Sequence, residues 1–161
     1  MTNAKKVVSI LREKGIFITT VESCTGGGLI NAITNISGAS EITKGARVTY
    51  SNEEKIALGV PAKTIEKYTV YSQEVALAMA EAGIRASVRA DIGVGITGSF
   101  SRVDPANPLN SRPGEFHIGV KYGDVRLSRT FTFPDESSER SKMKEWAIDQ
   151  ALSMILEAIN G

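Results

Sequence analysis

Ile16-Phe17-Ile18-Thr19-Thr20-Val21-Glu22-Ser23-Cys24-Thr25-Gly26-Gly27-Gly28 is the stretch that decides the fold. Its β-branched and aromatic opening, Ile16 to Val21, reads as a buried strand. The glycines that follow break the strand, and Leu29, Ile30, Ile33 and Ile36 then recur at helical spacing. A strand passing through a short polar turn into a helix is the building unit of α/β domains, and open α/β sheets gather their ligands at such strand ends.

The rest of the chain extends the same pattern. Upstream, Val7, Val8, Ile10 and Leu11 lie at helical spacing behind Thr2 or Asn3, and Gly15 is placed to stop that helix. Downstream, Ser37-Gly38-Ala39-Ser40 ends the second helix. Residues 46–50 read as a short strand, and Ser51-Asn52 caps a helix through Leu58, closed by Gly59. Pro61 can open a further short helix. Residues 72–88 form a long alanine-rich helix with an apolar stripe of Val75, Met79, Ala82 and Ile84, and residues 92–97 form a compact strand. A loop rich in Ser, Asn and Pro covers 99–113. Residues 116–120 and 125–133 pair as a hairpin around Tyr122-Gly123-Asp124, and residues 136–160 make the closing helix. The expected fold is a three-layer α/β/α sandwich with a mixed, mostly parallel sheet and one antiparallel hairpin, in a single domain over 1–161.

Composition narrows the function. The chain has 161 residues, 42% apolar and 23% charged, with 19 basic against 18 acidic residues and a net charge of +1. That balance exerts no bulk pull toward nucleic acid or an anionic membrane. Cys24 and His117 are the only residues of their types, which excludes an internal disulfide, a cysteine-built zinc site and a multi-histidine metal site. Lys5-Lys6 leads into an amphipathic pattern instead of a long apolar run, and no stretch approaches a membrane span, so a cytoplasmic location is expected.

Three strand ends carry polar residues. At the first, consecutive glycines and a helix start are the parts of an oxyanion hole or a phosphate cradle. Ser23 and Thr25 bring hydroxyls, and Glu22 can accept from an amide or a ribose. The same residues also suit a plain helix cap by Ser23 or Thr25 with glycines that relieve packing, and spacing leaves both readings open. The turn is neither a Walker loop nor a dinucleotide fingerprint. At the second, Thr49-Tyr50-Ser51-Asn52 precedes Lys55 by about one helical turn. A hydroxyl nucleophile needs a base, and a partly desolvated lysine can serve, with a tyrosine to relay the proton. A solvated lysine beside a core-edge tyrosine is the plainer alternative. At the third, Thr97-Gly98-Ser99 leads into the 99–113 loop with Asp104 and Asn107, a long excursion of the kind that tends to be functional. His117 reads as a packed strand residue and Cys24 as a small buried one. Arg140, Lys142 and Lys144 form a solvated face that would bring a cation to a phosphate if their helix begins beside the pocket.

Val21-Glu22-Ser23-Cys24-Thr25-Gly26-Gly27 and Val48-Thr49-Tyr50-Ser51-Asn52-Glu53-Glu54-Lys55, with Leu58-Gly59-Val60-Pro61 following, resemble the CinA C-terminal domain family over almost the whole chain. The resemblance implies the same three-layer fold. It implies an amidohydrolase that deamidates the carboxamide of nicotinamide mononucleotide to nicotinate mononucleotide and ammonia. Ser23, Tyr50 and Lys55 match the family's catalytic serine, tyrosine and lysine: Ser23 attacks, Lys55 takes its proton with Tyr50 assisting, and amides of Thr25 to Gly27 steady the oxyanion. Glu22, Thr25, Gly26, Gly27, Asn52, Thr97, Gly98 and Arg140 complete the expected substrate-binding set. No metal or other cofactor is implied. The expected partner is a small-molecule nucleotide, with no nucleic acid and no membrane, and family members often form homo-oligomers. Some members are fused behind a domain related to molybdopterin-binding proteins; this chain is expected to be the free-standing kind.

Two segments depart from the family pattern. A histidine-glycine-alanine-valine-serine stretch is replaced by Lys67-Tyr68-Thr69-Val70-Tyr71-Ser72. The loop written glycine-isoleucine-alanine-glycine-proline-aspartate-glycine-glycine is replaced by Gly98-Ser99-Phe100-Ser101-Arg102-Val103-Asp104-Pro105, although Pro113 and Gly114 survive. Arg140 matches a family arginine, and Lys144 stands where a second one is found, so a fork is exchanged for a point charge. Altered loops around a retained trio leave a nucleotide-binding or regulatory module as the alternative function.

Overall fold

Local signals set most of the elements. The computed structural model describes residues 1–135 and 138–161. Helix α1 (Asn3–Lys14) starts where the Thr2 hydroxyl accepts the Lys5 amide, and ends where Gly15 turns left-handed at φ 66°. Strand β1 (Ile18–Glu22) is buried along its whole length, and α2 (Gly28–Thr34) follows the glycine turn. A 3-10 turn at Ala39–Glu41 leads toward β2 (Arg47–Val48).

Strand β2 is shorter than the expected 46–50. The Thr49 amide still donates to the Glu22 carbonyl at 2.8 Å, and then the chain leaves the sheet. There the Ser51 hydroxyl takes the Glu54 amide at 3.1 Å and starts α3 (Asn52–Leu58). Tyr50 therefore sits in a loop, 63% exposed. Helices α4 (Ala62–Tyr68) and α5 (Gln73–Ala86), strand β3 (Ile92–Gly98), the hairpin β4 (Glu115–Tyr122) and β5 (Val125–Thr132), and α6 (Arg140–Asn160) complete the order. The expected start of the last helix at 136 lies outside the described residues.

The strands lie in the order β2-β1-β3-β4-β5. β1 pairs parallel with β2 and β3, while β4 pairs antiparallel with β3 and β5. The sheet is thus mixed, and β4 alone runs against the other strands. Helices α1, α2 and α6 cover one face; α3, α4 and α5 cover the other. This is the expected α/β/α sandwich. No helix among the described residues is long and apolar enough to cross a membrane.

Strand alternation explains the packing on both faces. Ile92, Val94 and Ile96 of β3 point into the core shared with α1, α2 and α6. The intervening residues, Gly93 and Gly95, face α5 with no side chain between strand and helix. A Cβ on Gly95 would come within 2.0 Å of the Ala76 carbonyl oxygen, and one on Gly93 within 2.4 Å of that of Ala80. Gly119, the register partner of Gly95, would meet the Leu77 amide at 2.5 Å. The α5 backbone therefore lies directly on the sheet, which is why that helix is rich in alanine. Its position fixes the segment before it, and the Thr97 hydroxyl at the end of β3 donates to the Val70 carbonyl at 3.1 Å.

Gly95→Ala is expected to cost about 3 kcal/mol in urea unfolding, since neither backbone can yield to an added methyl. Gly45→Ala, where nothing lies within 4 Å, is expected to stay within about 0.5 kcal/mol of the parent. Equal losses would contradict the backbone-on-sheet contact.

Candidate active site

The ends of β1, β2 and β3 meet at one edge of the sheet, where Glu22 is in register with both Val48 and Ile96. The turn after β1 is organised by Glu22 itself. Its fully buried carboxylate accepts from the Thr25 hydroxyl at 2.7 Å, the Thr20 hydroxyl at 3.2 Å, the Leu29 amide at 2.8 Å and the Ile30 amide at 3.0 Å. A carboxylate here satisfies the orphan amides of α2 and complements its positive end. Gly26 and Gly27 take φ of 59° and 96°, which side chains resist. The Gly26 amide donates back to the Ser23 carbonyl at 2.9 Å, so this expected oxyanion donor is already engaged.

Glu22 thus takes over the capping that spacing had offered to Ser23 or Thr25. Ser23 is left with its hydroxyl toward the cavity and its amide pinned to the Ile96 carbonyl at 3.0 Å. Lys55 is the one buried residue of α3 and is only 1% exposed. Its Nζ donates to the Ser23 Oγ at 3.2 Å and to the Thr49 carbonyl at 2.8 Å. Burial lowers its pKa from 10.5 to about 8, against the opposing pull of Cys24, Asp104 and Glu53. A hydroxyl held against a lysine with a depressed pKa has the geometry that a nucleophile and its base require. Cys24, next to Ser23, is an inert neighbour: burial pushes its thiol up to about 12.

These two side chains line a cavity of about 490 Å³, a volume typical of small-molecule sites. Asn52, Gly98 and Arg140 line it as expected, together with Tyr50. The expected relay from Tyr50 to Lys55 is not formed. The Tyr50 hydroxyl instead accepts from the Arg140 Nη2 at 2.8 Å, because the early end of β2 carries it outward. Arg140 also lies over the Phe100 ring, 5.4 Å from its centroid. Glu22, Thr25, Gly26, Gly27 and Thr97 do not line it. His117 is remote in role: it is buried on β4, with its Nδ1 2.8 Å from the Thr130 hydroxyl.

Among the residues outside the expected set that line the cavity are Tyr71 and Asp104. The Tyr71 hydroxyl donates to the Asp104 carboxylate, which also accepts from Asn107 Nδ2 at 2.9 Å and from the Ala106 amide at 3.0 Å. Both belong to the segments that depart from the family pattern. Thr69, at φ 69°, is the one non-glycine residue with positive φ among the described residues, in a segment where the family stretch carries glycine. The signal that would have found the pair is a tyrosine hydroxyl and a carboxylate in two loops flanking one strand end.

The buried serine–lysine pair lies at the strand ends of an α/β/α domain. The profile of the CinA C-terminal domain matches residues 1–159, and the chain belongs to that family. A relative from Clostridium botulinum named as a competence-damage inducible protein is 47% identical over 151 residues, covering 92% of this chain and 35% of its own length. A CinA-like protein from Kosmotoga olearia is 35% identical over 150 residues, 89% of this chain and 34% of the relative. The chain therefore spans about a third of these relatives. Among solved structures, a competence or damage-inducible protein from Enterobacter asburiae superposes with a TM-score of 0.85 at 30% identity, covering 97% of this chain and 95% of that one. The competence/damage inducible protein CihA from Agrobacterium tumefaciens gives a TM-score of 0.86 at 26% identity, with 97% and 93% covered.

A buried lysine is a poor choice for stability alone. Lys55→Met should raise the unfolding free energy at pH 7 by about 1 kcal/mol, as expected where a site residue is kept at the expense of stability. A loss of 2 kcal/mol or more in thermal or urea unfolding would show instead that Lys55 is a structural strut.

Proposed function

We propose that the chain is an amidohydrolase that deamidates the carboxamide of nicotinamide mononucleotide, giving nicotinate mononucleotide and ammonia. The observation that carries this reading is the Lys55 Nζ, buried and 3.2 Å from the Ser23 Oγ, in a cavity entered past Arg140. In the neutral form Lys55 takes the proton of the Ser23 hydroxyl as Oγ bonds to the carboxamide carbon. The same proton then passes to the departing nitrogen as the carbon–nitrogen bond breaks, releasing ammonia. A water molecule, deprotonated by Lys55, attacks the acyl-serine, and the carboxylate leaves as Ser23 regains its proton. Arg140 supplies the cation for the phosphate, and its hydrogen bond to Tyr50 gives that residue a place at the entrance.

A second reading is a nucleotide-binding module without turnover, which the engagement of Tyr50 by Arg140 and of the Gly26 amide by Ser23 favours. Ammonia release decides between them. With nicotinamide mononucleotide as substrate, Ser23→Ala and Lys55→Ala should each lower kcat by at least about 100-fold, the scale of a positioned base, while Tyr50→Phe costs less than tenfold. Ligand-induced thermal stabilisation with no ammonia from the parent chain would establish the binding module instead.

The pH profile follows from the sign of the lysine shift. The depressed group must be neutral to act, so kcat/KM should climb about tenfold per unit below pH 8 and level above it. A profile still rising at pH 10 would place the essential base elsewhere.

A further inference from the structure

The cavity wall holds charges of both signs. Lys55, Arg102 and Arg140 line it as cations, Glu53 and Asp104 as carboxylates. Lys55 is tied to Ser23 and Thr49, and Arg140 to Tyr50. Glu53 stands in the first turn of α3, where a carboxylate complements the helix start. Asp104 has no such helix to complement. Among the described residues, its two oxygens receive neutral donors only: Tyr71 hydroxyl and Asn107 Nδ2 on Oδ2, and the Ala106 amide on Oδ1. A carboxylate offers about four acceptor positions, so one position remains open to the cavity, and the negative charge there is opposed only at a distance by Lys55.

We propose that Asp104, held in the cavity wall by Tyr71, is the counter-charge for a positively charged ring in the substrate, so that the site selects a cationic pyridine carboxamide over its uncharged form. The proposal rests on the reading of the cavity as a nucleotide-amide site and adds the means of discrimination. An N-alkylated pyridine ring carries a permanent positive charge, and a phosphate on the same molecule is negative. Asp104 and Arg140 match those signs within one lining. Burial alone would raise the Asp104 carboxyl, but the bonds from Tyr71, Asn107 and the Ala106 amide, with the charge of Lys55, outweigh it and hold the group below its ordinary range. It is therefore ionised at neutral pH. Tyr71 acts through Asp104 and is a positioning residue: its hydroxyl bridges the α4–α5 connection to the 99–113 loop and keeps the carboxylate at the wall. Ser111 braces the same loop, with its hydroxyl accepting the Asp104 amide at 2.8 Å.

The test compares two ligands that share phosphate, ribose and carboxamide and differ in ring charge. These are nicotinamide mononucleotide and its reduced dihydropyridine form. Calorimetric titration of the parent chain should show tighter binding of the cationic ligand. Asp104→Asn should weaken that ligand about tenfold, on the scale of one close charge contact in a partly solvated site, and leave the reduced ligand within about twofold. Tyr71→Phe, which keeps the carboxylate, should narrow the preference by a smaller factor, about twofold to threefold, and stands in should Asp104→Asn fold poorly in thermal melts. Equal losses for both ligands in Asp104→Asn would overturn the proposal and reduce Asp104 to a loop staple. Equal affinities for the parent chain, with turnover intact, would overturn the charge preference and leave the amidase reading standing. Binding of neither ligand would overturn both.

Discussion

An ammonium taken out of water and set against a serine hydroxyl and one backbone carbonyl is the constraint on which the rest of this structure depends. Among the described residues, Lys55 has no carboxylate in hydrogen-bond contact; its partners are the Ser23 Oγ and the Thr49 carbonyl. Two neutral acceptors replace only part of the hydration that burial removes, so the charged form is disfavoured. The protein tolerates this because the flanking architecture is held by groups that do not depend on the lysine. Glu22 closes the turn on one side, with both its oxygens engaged by hydroxyls and amides. Ser51 starts α3 on the other. With its start capped by Ser51 and its end closed by Gly59, α3 can present a lysine as its single buried residue.

The scaffold explains why the pair sits where it does. Helix α5 rests its backbone on Gly93, Gly95 and Gly119, so its height above the sheet is set by atoms that cannot rotate away. That places the preceding loop against the end of β3, where Thr97 ties it to Val70. On the far face an aromatic group carries α6 to the same edge. Phe116 stacks on Phe131 at 5.3 Å and meets Trp146 edge-on at 5.5 Å, and Phe100 packs edge-on against Phe116 at 5.8 Å. Arg140 then lies over Phe100. Three strand ends and two helices converge on one cavity, and the loops that differ from the family pattern form part of its wall.

The fold was legible in the sequence because its signals are local. Glycines, caps and alternating apolar residues mark elements over a few positions, and the strand–turn–helix at residues 16–36 already implied the layers. Ser23 and Lys55 were legible only as a motif. Their meeting depends on β1 and β2 pairing in register, which no window of sequence contains. Tyr50 was misplaced because a strand's end is decided by its neighbour: once Thr49 has used the Glu22 carbonyl, the edge strand has no further partner and the chain turns away. Glu22 looked like a ligand contact because its true partners, Leu29 and Ile30, lie seven and eight positions onward, beyond any capping pattern read by eye. Tyr71 and Asp104 looked like loop residues because their pairing spans 33 positions.

The titration of Lys55 in the folded chain tests the central claim most directly. Selective isotope labelling of lysine side chains, with Lys55→Met to assign the signal, lets its ε-carbon shift be followed by NMR from pH 6 to 11. A midpoint near 8 is expected. A midpoint at the ordinary 10.5 would mean that the ammonium is hydrated or paired after all, and Ser23 would have no base beside it.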